Sequence, residues 1–259
     1  MLSASGTTAA WAGSPEFART AGEWAQLRDN TMEYGELAGL IREYNVTVQT
    51  NRLDLSDKKN DDLVTRDEYA QYYRDAADDA RSAIVGDDDT AVADAGLAVA
   101  ARQAEEQADK NTMDLDVYRI TYDQAEANLV AGAQTAMISY FQQQYQLESA
   151  KSSLELLNTV YDSAVVRKNA GMATQVDVLT ALENVQNAQT SVDKLTSSIE
   201  ETRQKLCIML GWKYNDTPEI KEIPAVDMDK IAAMNPETDK EAALTNNYTL
   251  NINKKKLEN

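Results

Sequence analysis

Two stretches of the sequence repeat apolar residues in alternating steps of three and four over many turns. The repeat positions of the first stretch are Leu129, Ala133, Ala136, Tyr140, Gln143, Leu147, Ala150, Leu154, Leu157, Tyr161 and Ala164, and only Gln143 among them is strongly polar. In the second only Thr202 is polar, and its positions are Val178, Ala181, Val185, Ala188, Val192, Leu195, Ile199, Thr202, Leu206 and Met209. This alternation predicts two narrow coiled-coil seams. Each seam is roughly 45 to 55 Å long, so it needs a long partner helix.

The residues between the two seams predict how the helices are joined. Arg167 and Lys168 place positive charge at the end of the first helix, where the helix dipole favours it. Gly171 can adopt the left-handed conformation that ends a helix. Thr174 and Asp177 have the spacing of an N-terminal capping box. A link this short makes two long helices antiparallel neighbours, so the sequence predicts a hairpin with a tight tip.

The predicted fold class is all-α: a long antiparallel coiled-coil hairpin with shorter flanking helices and no β-barrel. The low content of helix breakers, 10 Gly and 4 Pro in 259 residues, supports long helices. The sequence predicts three regions. Residues 1–21 are a disordered terminus, a trimmed signal or cloning residues, residues 22–215 are a helical-hairpin repeat, and residues 216–259 are an extended linker with the start of a truncated second repeat. Within the repeat we predict an acidic equatorial segment at 56–116 and hairpin arms at about 117–168 and 174–210, joined by a tip at about 169–174.

The first residues leave the origin of the N-terminus open. Residues 1–12 are mostly small and apolar, and Ala10-Trp11-Ala12 has the small-x-small form of a signal-peptidase site. The charged start and full apolar centre of a signal peptide are missing, and residues 13–17 also fit a cloning linker. A trimmed export signal, cloning residues and a disordered terminus therefore stay as alternatives.

Comparison of the chain with itself indicates a partial duplication. The segment 38–48 lies over 242–252 at a constant offset of 204, and identical or similar residues fall at the periodic positions. A duplicated helix start would produce this match, and so would two unrelated amphipathic helices. The duplication predicts one whole repeat followed by the opening of a second, which stops within a helix.

The amino-acid composition excludes most catalytic and metal-binding chemistry. The chain has no His and one cysteine, Cys207, so the commonest general base and an internal disulfide are both absent. We therefore predict that it is not an enzyme and has no cofactor or metal site.

The formal net charge of −18 excludes nucleic acid and anionic membrane surfaces as partners. The sequence contains no run of about 18 apolar residues, the length that a membrane-spanning helix would need. The acidic run 87–89 lacks calcium-loop spacing and is interpreted as a solvated loop.

The hairpin sequence shares a pattern with a known family. Residues 161–211, YDSAVVRKNAGMATQVDVLTALENVQNAQTSVDKLTSSIEETRQKLCIMLG, contain an aromatic residue, a Gly-aliphatic tip, Asp-Val and a closing Leu-Gly. The opening LRDNTMEYGELAGLIREYNVTVQTN has a short helix that ends near Asn before a long one begins. Together these segments resemble the TolC-like family of efflux ducts, and the resemblance covers about two thirds of the chain.

The resemblance implies a function in multidrug efflux or secretion. Family members form homotrimers in which six hairpins make a helical barrel, and their tips meet a periplasmic-adaptor-like membrane fusion protein. That adaptor links the duct to an inner-membrane or ABC-type transporter, and the duct conducts solutes passively. Position by position, the resemblance assigns contact with the adaptor to six tip residues: Asn169, Ala170, Gly171, Met172, Ala173 and Thr174. It assigns the entrance and capping role to the carboxylate of Asp177.

One departure from the family concerns the membrane. Outer-membrane members insert β-strands between the second and third helices, and such strands alternate apolar and polar residues. The corresponding region, within 56–116, has acidic clusters and no such alternation. We therefore expect an exported protein of the cell envelope, or of the extracellular face of the cytoplasmic membrane, without that barrel. The alternative function is an elongated coiled-coil surface or scaffold protein without a channel.

Overall fold

The computed structural model describes residues 19–259, so the prediction of a trimmed signal near residue 12 lies outside the described residues. The all-α prediction is confirmed. The elements are α1 Ala21–Leu27, β1 Thr31–Met32, α2 Leu37–Tyr44, α3 Val46–Asn60, α4 Arg66–Ser82, α5 Ala91–Asp109, α6 Leu115–Asn169, α7 Gln175–Met209, β2 Glu219–Ile220, α8 Met228–Ala232, α9 Pro236–Thr245 and α10 Tyr248–Glu258. A short 3-10 turn, Asp88–Thr90, precedes α5.

The chain forms two compact units. The hairpin unit contains the described part of Met1–Asn45 together with Leu129–Ala225. The α4–α5 unit contains Val46–Asn128 and Val226–Asn259. None of the helices in residues 19–259 combines the length and apolar character that crossing a membrane would require.

The hairpin unit is built on the two seams predicted from the sequence. Every seam position of α6 and α7 is buried or half-buried, whereas most of the residues around them are exposed. The polar residues of the two seams pair with each other, since the Thr202 hydroxyl donates a hydrogen bond to Gln143 Oε1 at 3.1 Å. Pairing satisfies both groups within an otherwise apolar contact. The long antiparallel helical hairpin is therefore confirmed.

The base of the hairpin, the end away from the tip, holds the largest buried side chains of this unit. Leu37, Leu40 and Ile41 form the fully buried face of α2, while Met137 of α6 and Leu206 of α7 are equally inaccessible. The short strands β1 and β2 pair in parallel, which brings the chain after α7 beside the chain before α2. This two-strand pairing was not predicted from the sequence, because two-residue strands leave no periodic pattern.

Helix α7 ends in a turn that is fastened to the end of α2. Trp212 N donates to Cys207 O at 2.8 Å, and Gly211 between them has φ +80°. A Cβ on Gly211 would lie 2.4 Å from the carbonyl oxygen of Tyr44, so only glycine fits this close approach. Next to it, Asn45 Nδ2 donates to Met209 O at 2.8 Å. The Leu-Gly end of the hairpin pattern thus has a packing role.

The α4–α5 unit contains the acidic segment 56–116, in which α4 and α5 form a second, shorter helical pair. Alanines on the facing sides of the two helices are buried, and they are Ala70, Ala77, Ala101 and Ala108. Thr65 begins α4 with a capping box. The acidic run 87–89, which the sequence analysis interprets as a solvated loop, lies between α4 and α5. Helix α10 also belongs to this unit, where Lys255 forms an ion pair with Asp116 at 3.3 Å.

The segments 38–48 and 242–252, which the sequence comparison aligns at an offset of 204, each contain a helix boundary. Asn45 ends α2 with an extended backbone immediately before α3, and Asn247 caps α10 through a 2.9 Å bond from Leu250 N to its side chain. These two helix breaks are 202 positions apart rather than 204. The offset of 204 equates Tyr44 with Tyr248, but Tyr44 ends a helix and Tyr248 begins one.

Candidate functional site: the hairpin tip

The tip begins where α6 ends in a left-handed turn. Gly171 has φ +74°, a conformation that costs little only for glycine. Met172 N donates to Arg167 O at 2.8 Å and Gly171 N donates to Lys168 O at 2.9 Å. These two bonds satisfy carbonyl groups at the end of the helix, as in a Schellman motif. The predicted left-handed glycine is therefore confirmed.

The second arm begins with the predicted capping box. Asp177 N donates to Thr174 Oγ1 at 3.2 Å, while Thr174 N donates to Asp177 Oδ2 at 2.7 Å. The Thr174 hydroxyl also donates to the same carboxylate oxygen at 2.8 Å. Lys168 donates a further hydrogen bond to Gln175 across the turn. The tip is thus held by local bonds from both arms.

The capping box also stabilises the charged form of Asp177. Hydrogen bonds from the backbone and then the side chain of Thr174 hold the pKa of the Asp177 carboxyl below its usual value, and the positive charge of Arg167 contributes in the same direction. A lowered folded-state pKa means that the carboxylate stabilises the fold above the ordinary Asp value of about 3.9. That contribution is lost as the pH falls through the folded-state pKa of Asp177.

Replacing Thr174 by alanine is expected to raise the pKa of Asp177 towards its usual value and to destabilise the start of α7 by about 1 kcal/mol. The carboxyl-carbon chemical shift of Asp177 in an NMR titration measures the first effect, and amide hydrogen exchange measures the second. Thr190→Ala is the matched control, because the Thr190 hydroxyl bonds only to Gln186 O of its own helix. Equal titration midpoints for Asp177 in all three proteins would contradict the capping box.

Apolar side chains are exposed around this turn. Met172 is 66 % exposed, and Val166, Val176 and Leu179 are also largely accessible to solvent. Of the other residues assigned to the tip by sequence, Asn169, Ala170, Gly171 and Thr174 are exposed and Ala173 is half-buried. The structure therefore brings all the sequence-assigned tip residues into one exposed turn, with Asp177 at the start of the second arm.

A groove runs between the two arms beside the tip. Its lining includes Val160, Ser163, Arg167, Ala173, Asp177 and Thr180. Sequence reasoning missed the contribution of Val160, Ser163 and Thr180, which flank the seams without belonging to them. The sequence could have indicated them, because each lies next to a seam position, and residues that flank an antiparallel seam on the same side lie close together. The groove offers a partner an apolar edge, small side chains and one charge of each sign.

Two ionisable side chains of α7, Cys207 and Glu200, have pKa values shifted by their surroundings. Burial raises the pKa of the Cys207 thiol, which keeps it protonated and poorly reactive. Glu200 is held by Arg203 and Gln204, whose hydrogen bonds lower its pKa to about 2. Among residues 19–259 no group of three or more acidic or cysteine side chains is placed to hold a metal ion.

A polar cluster in the α4–α5 unit was not predicted. Tyr122 donates a hydrogen bond to Asp54, which forms an ion pair with Lys58 at 2.7 Å. Lys58 Nζ lies 4.7 Å from the centre of the Tyr118 ring, and that ring is 5.3 Å from the ring of Tyr69. Burial raises the pKa of Tyr118 to about 12. These tyrosines therefore stay neutral, and the cluster ties α3 to α4 and α6.

Comparison with known proteins supplies no family for the chain. Neither a protein-family model nor a curated protein sequence matches it.

Proposed function

We propose that this protein is a TolC-like helical duct component of a tripartite efflux or secretion system, which docks an adaptor through its hairpin tip. The observation that carries the proposal is the exposed apolar turn at Met172 beside a groove between the two arms. Exposed apolar groups beside a concave surface are typical of a protein–protein contact.

The adaptor side of the contact would be a helical hairpin with a membrane-fusion-protein fold. Val160 and Ala173 present apolar surface in the groove, while Ser163 and Thr180 leave room for a helix to approach. Arg167 and Asp177 at the same groove can each pair with an opposite charge on the adaptor. Because the seam side chains of the two arms are already buried or half-buried against each other, the partner would bind in the groove beside the seam rather than replace one of the arms.

The duct itself would be a homotrimer in the cell envelope, and it would conduct solutes passively. In this proposal the adaptor connects it to an inner-membrane or ABC-type transporter, which supplies the energy. The chain contributes packing surfaces and a strongly acidic lining, consistent with its net charge of −18. No catalytic residue, cofactor or metal is needed for this mechanism. A coiled-coil scaffold without a channel would have the same seams but no requirement for the apolar turn.

Substituting Met172 by glutamate is expected to weaken adaptor binding at least about tenfold, because it places a charge in the apolar centre of the contact. The probe is the helical hairpin of a membrane-fusion adaptor from the organism that encodes this chain, and binding is measured by calorimetry. Ile208→Glu is the matched control, because Ile208 is 61 % exposed but lies at the base of the hairpin.

Two results would contradict adaptor docking at the tip. One is equal affinity of the native protein, Met172→Glu and Ile208→Glu for the adaptor hairpin. The other is a photo-crosslinking residue at position 172 that captures no adaptor while the same residue at position 208 does. Failure of all three proteins to bind any hairpin adaptor would favour the scaffold function.

A further inference from the structure

A carboxylate oxygen is buried at the base of the hairpin, directly before α2. Glu36 Oε2 is shielded from solvent and has no hydrogen-bond donor among residues 19–259. The Glu36 side chain makes no capping bond to α2, and the residues Met32 and Leu37, which lie on either side of it in the sequence, have no exposed area. A charged oxygen without a donor is costly in such a position, whereas a neutral carboxyl group costs much less.

The charges placed around the paired strands β1 and β2 are mostly negative. Asp29, before β1, and Glu33, after β1, both act on Glu36 as like charges. Lys221, the residue after β2, forms an ion pair with Glu219 at 2.6 Å and also feels the charges of Glu33 and Asp29. One ammonium group therefore serves several carboxylates, and Glu36 is the one whose oxygen is buried without a partner.

Burial raises the pKa of the Glu36 carboxyl above its usual value, and the negative charges of Glu33 and Asp29 act in the same direction. A hydrogen bond from the backbone of Glu33 opposes these effects in part. Because the folded-state pKa is higher than the unfolded value, the folded protein binds this proton more tightly than the unfolded chain does. The cost of the charged form is present in full above the folded-state pKa and is relieved as the pH falls through it.

We propose that Glu36 is a pH-sensitive switch at the base of the hairpin, where a proton on its carboxyl strengthens the attachment of β1 to β2. The charged form favours conformations in which the segment 29–36 moves into solvent, and this segment contains β1. Such a movement would break the 2.9 Å bond from Lys221 N to Met32 O, which pairs the strands. Mild acidification therefore tightens the base. This inference is independent of adaptor docking at the tip.

The stability of the full chain as a function of pH tests the switch. Glu36→Gln removes the charge and keeps the size, so its folding equilibrium constant in urea denaturation is expected to exceed the native value severalfold at about pH 7.5. This advantage is expected to disappear as the pH falls towards about 4. Glu183→Gln is the matched control, because Glu183 is exposed on α7 of the same unit. Equal stability of Glu36→Gln and the native protein at about pH 7.5, or an advantage that does not change with pH, would overturn the proposal.

Two NMR measurements separate a switch from a carboxyl that merely titrates. The carboxyl-carbon midpoint of Glu36 is expected above the ordinary Glu value of about 4.3 and lower in Glu33→Gln than in the native protein, because one like charge is removed. The hydrogen-exchange protection factor of the Lys221 amide is expected to rise on acidification in the native protein but not in Glu36→Gln. An ordinary midpoint would overturn the proposal. A raised midpoint with unchanged Lys221 protection would also overturn it, because Glu36 would then titrate without affecting the strands.

Discussion

Alanine in place of Gly211 is expected to destabilise the hairpin unit by about 4 kcal/mol. Two costs add at this position. The backbone has φ +80°, which disfavours any residue with a Cβ. The new Cβ would also lie 2.4 Å from the carbonyl oxygen of Tyr44 and 2.8 Å from its carbonyl carbon, and backbone atoms cannot rotate away as a side chain can. Urea denaturation followed by tryptophan fluorescence measures the change in the free energy of unfolding.

Gly171→Ala is the matched control for this prediction. Gly171 has a similar backbone angle, φ +74°, but a Cβ there would meet no atom within 4 Å. It therefore carries only the backbone cost, about 1 kcal/mol. The difference between the two variants isolates the contact with Tyr44. If both variants lost the same free energy, α7 would not be fastened to the end of α2 as described.

The hairpin could be predicted from sequence because its determinants are local and periodic. Each seam repeats over many turns, and the turn between them is specified by Gly171 and Thr174 within a few residues. The tip residues follow from that turn. Their exposure follows as well, because a turn between two long arms has nothing to pack against.

The contacts that were missed connect residues far apart in the chain. Asn45 and Met209 are separated by 164 positions, and no period in the sequence relates them. The pairing of β1 with β2 and the cluster around Asp54 have the same origin.

The second large effect is expected at the base of α7. Leu206→Ala should destabilise the hairpin unit by about 3 kcal/mol, because it removes a side chain with no exposed area from the last turns of the seam and leaves a cavity. Ile208→Ala, two residues further along the same helix, removes a similar side chain that is mostly exposed. It should change the free energy of unfolding by no more than about 0.5 kcal/mol. Both variants are measured by urea denaturation.

This pair of variants also decides how the tip experiments are interpreted. If stability resides at the base, then substitutions at Met172 change binding without unfolding the arms, and a loss of adaptor affinity reports on the contact itself. The exposed position of Met172 and the 0 % exposure of Leu206 support that separation. Similar losses for Leu206→Ala and Ile208→Ala would mean that the side of α7 assigned to the seam is wrong. The groove beside the tip, whose two walls are positioned by that seam, would then not exist in the form described.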